Sequence, residues 1–402
     1  MDAVTITILL VIAAGALVLL YLTGVLRRPE HVVICAALIA GAFVIRGLCM
    51  SHVTLDYEDF LSQWVDYYRQ NGGFAALGDK IGNYNLPYLY FLAFFSYIGV
   101  NDLYLIKALS IVFDVILAWG AMQLIGVYTA SSAKRLTAFF LVLYWPTVIL
   151  NGAYWGQCDS IYTAFAVISI YLALRSRGAA AMICIAVSFA FKLQAVFIMP
   201  IFVVLLIAKR VKLWHFVLFP VTYVVLMLPA VMAGYPLLDT ITLYFDQMGT
   251  VGSALNYNSS SIYALFGNVS NESLASALGI LAAFTLMGGV FLWAFMRRRY
   301  LNDWAILGCA VILAVGIPYL LPHMHERYFF VADILTLLLA AAAPEFMVLP
   351  VLCEFASLLG YHAYLKMRYL LPMSYGAVAL AVVLAGAVAY TAAQLRPARR
   401  KS

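Results

Sequence analysis

The chain has 402 residues, of which 65% are hydrophobic and only 10% charged, and its formal net charge is +6. A soluble domain carries about a quarter charged residues, so a chain this poor in polar groups cannot cover a water-soluble globule and takes lipid as solvent for most of its surface. The excess of positive charge reads as a topology signal and not as a nucleic-acid footprint, because basic residues of membrane proteins gather on the cytoplasmic side.

The first apolar run extends to Leu26 and ends at Arg27-Arg28. No basic segment precedes it, so it reads as a retained helix with its N-terminus outside and not as a cleaved leader. Further basic clusters fall at Lys134-Arg135, Arg175/Arg177, Lys209-Arg210-Lys212, Arg297-Arg298-Arg299 and Arg396 to Lys401; with the first pair they hold 16 of the 24 Lys and Arg. They alternate with acidic or aromatic connections at roughly 51–85, 151–159, 192–194, 233–260 and 322–327. The alternation predicts an all-α, polytopic transmembrane bundle of about 13 spans with the C-terminus in the cytoplasm. A single integral membrane domain covers 1–402, with a core at about 30–345, C-terminal helices at about 346–393 and a basic tail at 394–402. Runs such as 160–174 and 195–208 fall short of the roughly 20 residues a crossing needs and read as half-helices lining a cavity. The stretch 86–102 reads as a partial insertion. The six cysteines show no paired spacing and read as buried small hydrophobes.

Five outward connections carry chemistry-bearing residues, one of them, 233–260, through Tyr244-Phe245-Asp246-Gln247 with Asn256-Tyr257-Asn258. In the first of the other four, Tyr57, Phe60 and Trp64 recur at helical spacing and predict an amphipathic helix on the outer surface. Asp56 would start it. A carboxylate there is a candidate general base, although spacing alone favours a helix cap. The second is Tyr154-Trp155-Gly156-Gln157-Cys158-Asp159. Interfacial belt residues with a capping Asp159 and a sugar site built on Trp155, Gln157 and Asp159 explain it equally well. The third is Phe191-Lys192-Leu193-Gln194, flanked by apolar runs. A lone Lys there is costly unless it faces a cavity or a partner, which favours phosphate binding over a snorkelling side chain. The fourth is Pro322-His323-Met324-His325-Glu326-Arg327-Tyr328. If helical, it puts His323 and Arg327 on one face, an electropositive spot for a phosphate. A metal held by His323, His325 and Glu326 is the lesser reading, because that spacing suits a strand and no third His is near. Asp333 is expected to pair with Arg327 or Lys192. Arg46 and Asp114, both inside apolar runs, are expected in buried pairs.

The ionisable groups gather on one face. A transporter would place them near the midplane and a channel along a through-path. The asymmetry fits an enzyme whose lipid-borne substrate is presented in the outer leaflet.

Taken in order, Asp56-Tyr-Glu-Asp-Phe, Tyr84-Asn85-Leu-Pro-Tyr88, Trp155-Gly-Gln-Cys-Asp159, Phe191-Lys-Leu-Gln194, Tyr244-Phe-Asp-Gln247 and His323-Met-His-Glu-Arg-Tyr328 resemble the GT-C glycosyltransferases. The closer resemblance is to bacterial relatives of the PIG-V type mannosyltransferase of GPI-anchor synthesis, from about residue 50 to 335. The resemblance implies a bacterial plasma-membrane enzyme with its active site on the extracytoplasmic side. It would be an inverting transferase moving a hexose, mannose or glucose, from a polyprenyl-phosphate carrier to a cell-envelope glycan or glycolipid. It implies Asp56 as base, with Glu58 and Asp59 as neighbouring alternatives, and Asp159 as a second acid. Tyr57, Asp59, Tyr84, Asn85, Tyr88, Trp155, Gln157 and Gln247 would contact substrate. Lys192, Gln194, His323, His325 and Arg327 would hold the lipid phosphate, whose charge grows as the sugar leaves. No metal ligand is assigned, and a divalent Mg or Mn ion is left open. The competing reading is a transporter or flippase for a lipid-linked saccharide.

Overall fold

The computed structural model describes residues 3–26, 28–249, 252, 254–267 and 269–396, without the side chains of 245–249. Among these, the regular structure is helical apart from one two-residue strand pair. The helices are α1 (Ala3–Leu22), α2 (Pro29–Cys49), α3 (Ser62–Gln70), α4 (Leu86–Phe95), α5 (Asp102–Tyr128), α6 (Ser132–Leu143), α7 (Pro146–Ile149), α8 (Asp159–Leu174), α9 (Gly178–Phe191), α10 (Ile201–Ile207), α11 (Leu218–Met232), α12 (Leu237–Gly249), α13 (Glu272–Met296), α14 (Asp303–Leu320), α15 (Phe330–Ala342), α16 (Val348–Leu365) and α17 (Met373–Gln394). Local chemistry sets their starts. Pro29, Pro87 and Pro146 stand in first turns, where a missing N–H costs nothing. The side chains of Asn101, Ser131, Asn271 and Asn302 each accept from a first-turn backbone N–H.

Eight helical segments among the described residues are long and apolar enough to cross a membrane. The count is nine if α6 and Pro146–Trp155, bent by 48° at Pro146, form one span. Five shorter apolar helices accompany them: Leu86–Phe95, Asp159–Leu174, Gly178–Phe191, Leu193–Ile207 and Phe330–Ala342. The runs expected to be short are therefore short helices. Burial separates centre from rim: 83% of the apolar stretch of α14 and 78% of that of α5 is buried, against 22% for α1 and 17% for α13. The rim helices keep apolar faces that only lipid can cover.

Buried polar links cross this core. Arg46 of α2 donates through Nε and Nη2 to Asp114 Oδ2 of α5 at 3.0 and 2.9 Å, and both side chains are fully buried. The two charges expected in unidentified pairs are each other's partner. At the end that carries the basic clusters, Arg210 pairs with Asp303, and the Tyr128 hydroxyl donates to the Asp303 carbonyl at 3.0 Å. At the opposite end, β1 (Asn256–Tyr257) pairs in parallel with β2 (Met324–His325), Tyr257 opposite His325. The 321–329 connection runs through bends, the two residues of β2 and a turn, and is not helical, so His323 and Arg327 do not share a helix face.

Candidate functional site

The site begins where α2 ends. The last carbonyls of a helix have no partner within it. Here Lys107 of α5 supplies one, donating through Nζ to the carbonyls of Cys49, Met50 and His52 at 3.0, 3.2 and 2.6 Å. Two residues on, the Thr54 hydroxyl donates to the Trp155 carbonyl at 3.1 Å. The segment leading to Asp56 is thus tied at both ends. A π-helical turn over Tyr57–Leu61 follows it, and a second one, Leu150–Trp155, faces it. Such turns insert a residue into a helix and re-aim side chains. Gly156 closes the second turn at φ +84°, a left-handed conformation that costs glycine little. Gln157 and Asp159 follow directly.

Asp56 sits at the centre. Its Oδ2 accepts from Trp155 Nε1 at 2.8 Å, Gln157 Nε2 at 2.6 Å and Arg327 Nη1 at 3.2 Å. Its Oδ1 accepts from the Tyr364 hydroxyl at 2.6 Å. The Tyr84 hydroxyl donates to Gln157 Oε1 at 2.9 Å, which fixes the amide with its nitrogen toward Asp56. Asp56 remains 18% exposed, so solutes reach it. Glu58 and Asp59 are exposed. Of the three neighbouring acids, Asp56 alone is built into the cluster.

A second carboxylate lies deeper. Asp159 starts α8, is 1% exposed, and accepts from Lys192 Nζ at 2.6 Å and Asn151 Nδ2 at 2.7 Å. Asn151 Nδ2 also donates to Tyr361 of α16 at 3.0 Å. Lys192 stands where α9 gives way to a short 3-10 turn, over the Tyr84 ring at 5.8 Å. Its partner is Asp159 and not Asp333. Asp333 instead accepts from Ser357 at 2.9 Å, fully buried among the helices.

Arg327 joins the parts. It lies over the Trp155 ring at 4.9 Å, and its Nε is 3.5 Å from Glu326 Oε1. Burial pushes the Glu326 carboxyl up to about 7, against the pull of Arg327. Burial, with Arg327 and Lys192 nearby, pushes His325 down to about 4. His325 is therefore neutral at pH 7 and stacks on Tyr257 at 4.7 Å; it adds no positive charge for a phosphate. His323 is held through its backbone and Nδ1 and lines an apolar cavity. At φ +61° its backbone N–H donates to the Leu255 carbonyl, and its Nδ1 lies 2.8 Å from the Ala254 carbonyl. It fastens β2 to the 254–255 segment.

Two cavities adjoin the cluster. A polar one of about 320 Å³ is lined by Tyr84, Lys192, Gln194, Tyr257, His325 and Arg327, among others. An apolar one of about 690 Å³ is lined by Phe197, Phe219, Tyr223, Val224, His323 and their neighbours. Leu193, Gln194, Tyr244 and Tyr328 line both. Both volumes fall in the range of small-molecule sites, roughly 300–1,000 Å³.

The remaining expected residues divide. Tyr57 points elsewhere and donates to Asp102 at 3.2 Å. Asn85 caps α4 and ties it to the Ala190 carbonyl at 2.8 Å and the Tyr244 hydroxyl at 3.0 Å. It also touches the polar cavity. Tyr88 is buried behind Tyr84, ring to ring at 4.9 Å. The Gln247 side chain lies outside the described residues. Tyr361 and Tyr364 of α16, together with Asn151, were not anticipated. The tyrosines carry no sequence signal, since tyrosine is ordinary at a membrane interface, whereas Lys107, a lone Lys in an apolar run, carries the same signal as Lys192. Among the described residues no three His, Cys, Asp or Glu side chains are placed to hold a metal ion.

No protein-family model matches the chain, and no curated protein matches it.

Proposed function

We propose that this protein is a GT-C type membrane glycosyltransferase. It moves a hexose, mannose or glucose, from a polyprenyl-phosphate carrier to a glycan or glycolipid acceptor in the outer leaflet. The observation that carries the reading is the junction of the two cavities. A polar chamber with Lys192 and Arg327 in its wall adjoins an apolar one wide enough for a prenyl chain, and a multiply bonded carboxylate stands beside Arg327. A lipid-linked sugar phosphate has that same division between apolar tail and polar head.

The topology supports it. With four of the five shorter apolar helices counted as crossings and α4 left as a partial insertion, the bundle has about 13 spans. Every residue of the Asp56 and Asp159 clusters then falls at one membrane face, although they come from six separate connections and helix ends. Lys134, Arg175, Arg210 and Arg297 fall at the other. By the positive-inside rule the clusters face outward.

In the reaction, Asp56 takes the proton of an acceptor hydroxyl as its oxygen attacks the anomeric carbon opposite the phosphate. The bond between anomeric carbon and phosphate oxygen breaks with its electron pair going to oxygen, and polyprenyl phosphate leaves with configuration inverted. Negative charge disappears from Asp56 and grows on the phosphate. Arg327 touches the first and lines the chamber of the second, so its charge transfers from one partner to the other as the reaction proceeds. Lys192, held by Asp159, adds a second fixed charge to the chamber.

The test is reconstitution in liposomes with radiolabelled undecaprenyl-phosphate mannose or glucose and alkyl hexoside acceptors. A new glycosidic bond, absent without protein, is expected. Movement of labelled donor between leaflets with no new bond would establish the flippase reading instead.

A further inference from the structure

We infer that the acceptor saccharide binds on the side of Asp56 away from the donor cavity, over Tyr364. Its proton goes to Oδ1 of Asp56, and Tyr364 is the residue that positions that oxygen. The inference deepens the glycosyl-transfer reading and rests on it.

The first argument counts lone pairs. A carboxylate offers about four acceptor positions over its two oxygens. Oδ2 already receives three donors, from Trp155, Gln157 and Arg327, and is full. Oδ1 receives only Tyr364 and has room for one more hydrogen bond. The second argument concerns where the proton can stay. The three groups on Oδ2 are N–H donors that cannot accept, so a proton placed there would face them. The Tyr364 hydroxyl both donates and accepts. Once Oδ1 carries the acceptor's proton, that hydroxyl can turn and accept a hydrogen bond from it.

The third argument is sidedness. The polar cavity is walled by Arg327 and Tyr84, but Asp56, Trp155 and Tyr364 take no part in its lining. Asp56 is bonded through Oδ2 to Arg327, which walls that chamber, and through Oδ1 to Tyr364 of α16. On the α16 side the Tyr364 ring stacks on Trp155, centroids 4.7 Å apart and planes 20° apart. Beside it, Tyr154 stacks on His52 at 3.7 Å and accepts from Lys366 Nζ at 3.1 Å. Tyr364, Tyr154 and His52 are all part-exposed. Aromatic faces with polar edges suit the apolar faces and hydroxyls of a pyranose.

Tyr364→Phe keeps the ring and removes the hydroxyl. With undecaprenyl-phosphate mannose or glucose as donor and octyl mannoside or octyl glucoside as acceptor, it is expected to lower kcat about tenfold, the loss of one charge-assisted hydrogen bond. Donor KM and thermal midpoint stay within about twofold and a degree or two of wild type. Tyr364→Ala raises acceptor KM as well. If Tyr364→Phe does not fold, 3,5-difluorotyrosine at position 364 keeps the shape and alters the strength of the donor; turnover is then expected to change at fixed donor KM. Unchanged kcat in the folded variant, or a change in donor KM alone, overturns the inference. If wild type transfers sugar and Asp56→Asn does not while Tyr364→Phe behaves as wild type, only the acceptor side is wrong. If wild type transfers none, the glycosyl-transfer reading fails and takes this inference with it.

Discussion

Two Asp–Arg pairs in this molecule use the same chemistry for different ends. Arg46 and Asp114 are fully buried, and every polar atom of the pair has a partner within the core: Ser160 donates to the second Asp114 oxygen at 2.6 Å, and the Leu143 carbonyl accepts from Arg46 at 2.9 Å. Arg327 and Asp56 are 17% and 18% exposed, their contact is longer at 3.2 Å, and Arg327 lines a cavity. The first pair joins α2 to α5 with nothing left over. The second keeps unused capacity on both partners beside an open chamber. An ion pair inside a membrane protein therefore says little by residue type; what separates strut from site is spare hydrogen-bonding capacity next to space for a ligand.

The largest expected contrast is in activity. Asp56→Asn keeps the shape of the side chain and removes the base, so turnover is expected to fall at least about a hundredfold, with the melting midpoint little changed. In the other pair the effect moves to stability. Arg46→Met leaves Asp114 without its counter-charge in the core and is expected to cost about 3–5 kcal/mol, read as a lowered denaturation midpoint in micelles. The specific activity of the protein that remains folded should be unaltered. Activity lost without destabilisation in Arg46→Met would erase the distinction between the pairs.

A smaller effect concerns pH. Burial holds the Glu326 carboxyl at about 7, above its ordinary value of 4.5. Between these two values the unfolded chain has released the proton and the folded one has not, so this group lowers stability as pH rises from 4.5 to about 7. On the proposed reading, ionised Glu326 would compete with a donor phosphate for Arg327. Donor KM is therefore expected to rise several-fold as pH passes through about 7, and Glu326→Gln to flatten that dependence. The smallest effects belong to the exposed acids. Glu58→Gln and Asp59→Asn should leave turnover within about twofold. A large loss in either would move the base away from Asp56.

Part of the site was legible in the sequence for one reason: a charge among apolar residues is expensive, so it marks a place where something compensates it. Lys192 stood out in this way; Asp56, Asp159 and Arg327 stood out by their place in polar outer connections and by the family resemblance, and the four converge in space. What charge could not reveal was partnership across sequence distance, such as Arg46 with Asp114 or Lys192 with Asp159. Nor could it separate one basic residue's task from another's: Lys107, as conspicuous as Lys192, caps a helix. The 321–329 connection was open to a helical reading, but its His-x-His spacing already suited the strand that Met324–His325 forms. Tyr361 and Tyr364 were invisible because a tyrosine near a helix end costs nothing. Length and composition alone give eight or nine candidate spans among the described residues; the expectation of about 13 rests on charge alternation.

The most direct measurement follows purified wild type and Asp56→Asn side by side, for binding of tritiated undecaprenyl-phosphate mannose or glucose and for glycoside formation. The account predicts that the variant folds, binds donor at least as tightly as wild type because Arg327 has lost its carboxylate, and forms no product. Product formation by Asp56→Asn at the wild-type rate would contradict it.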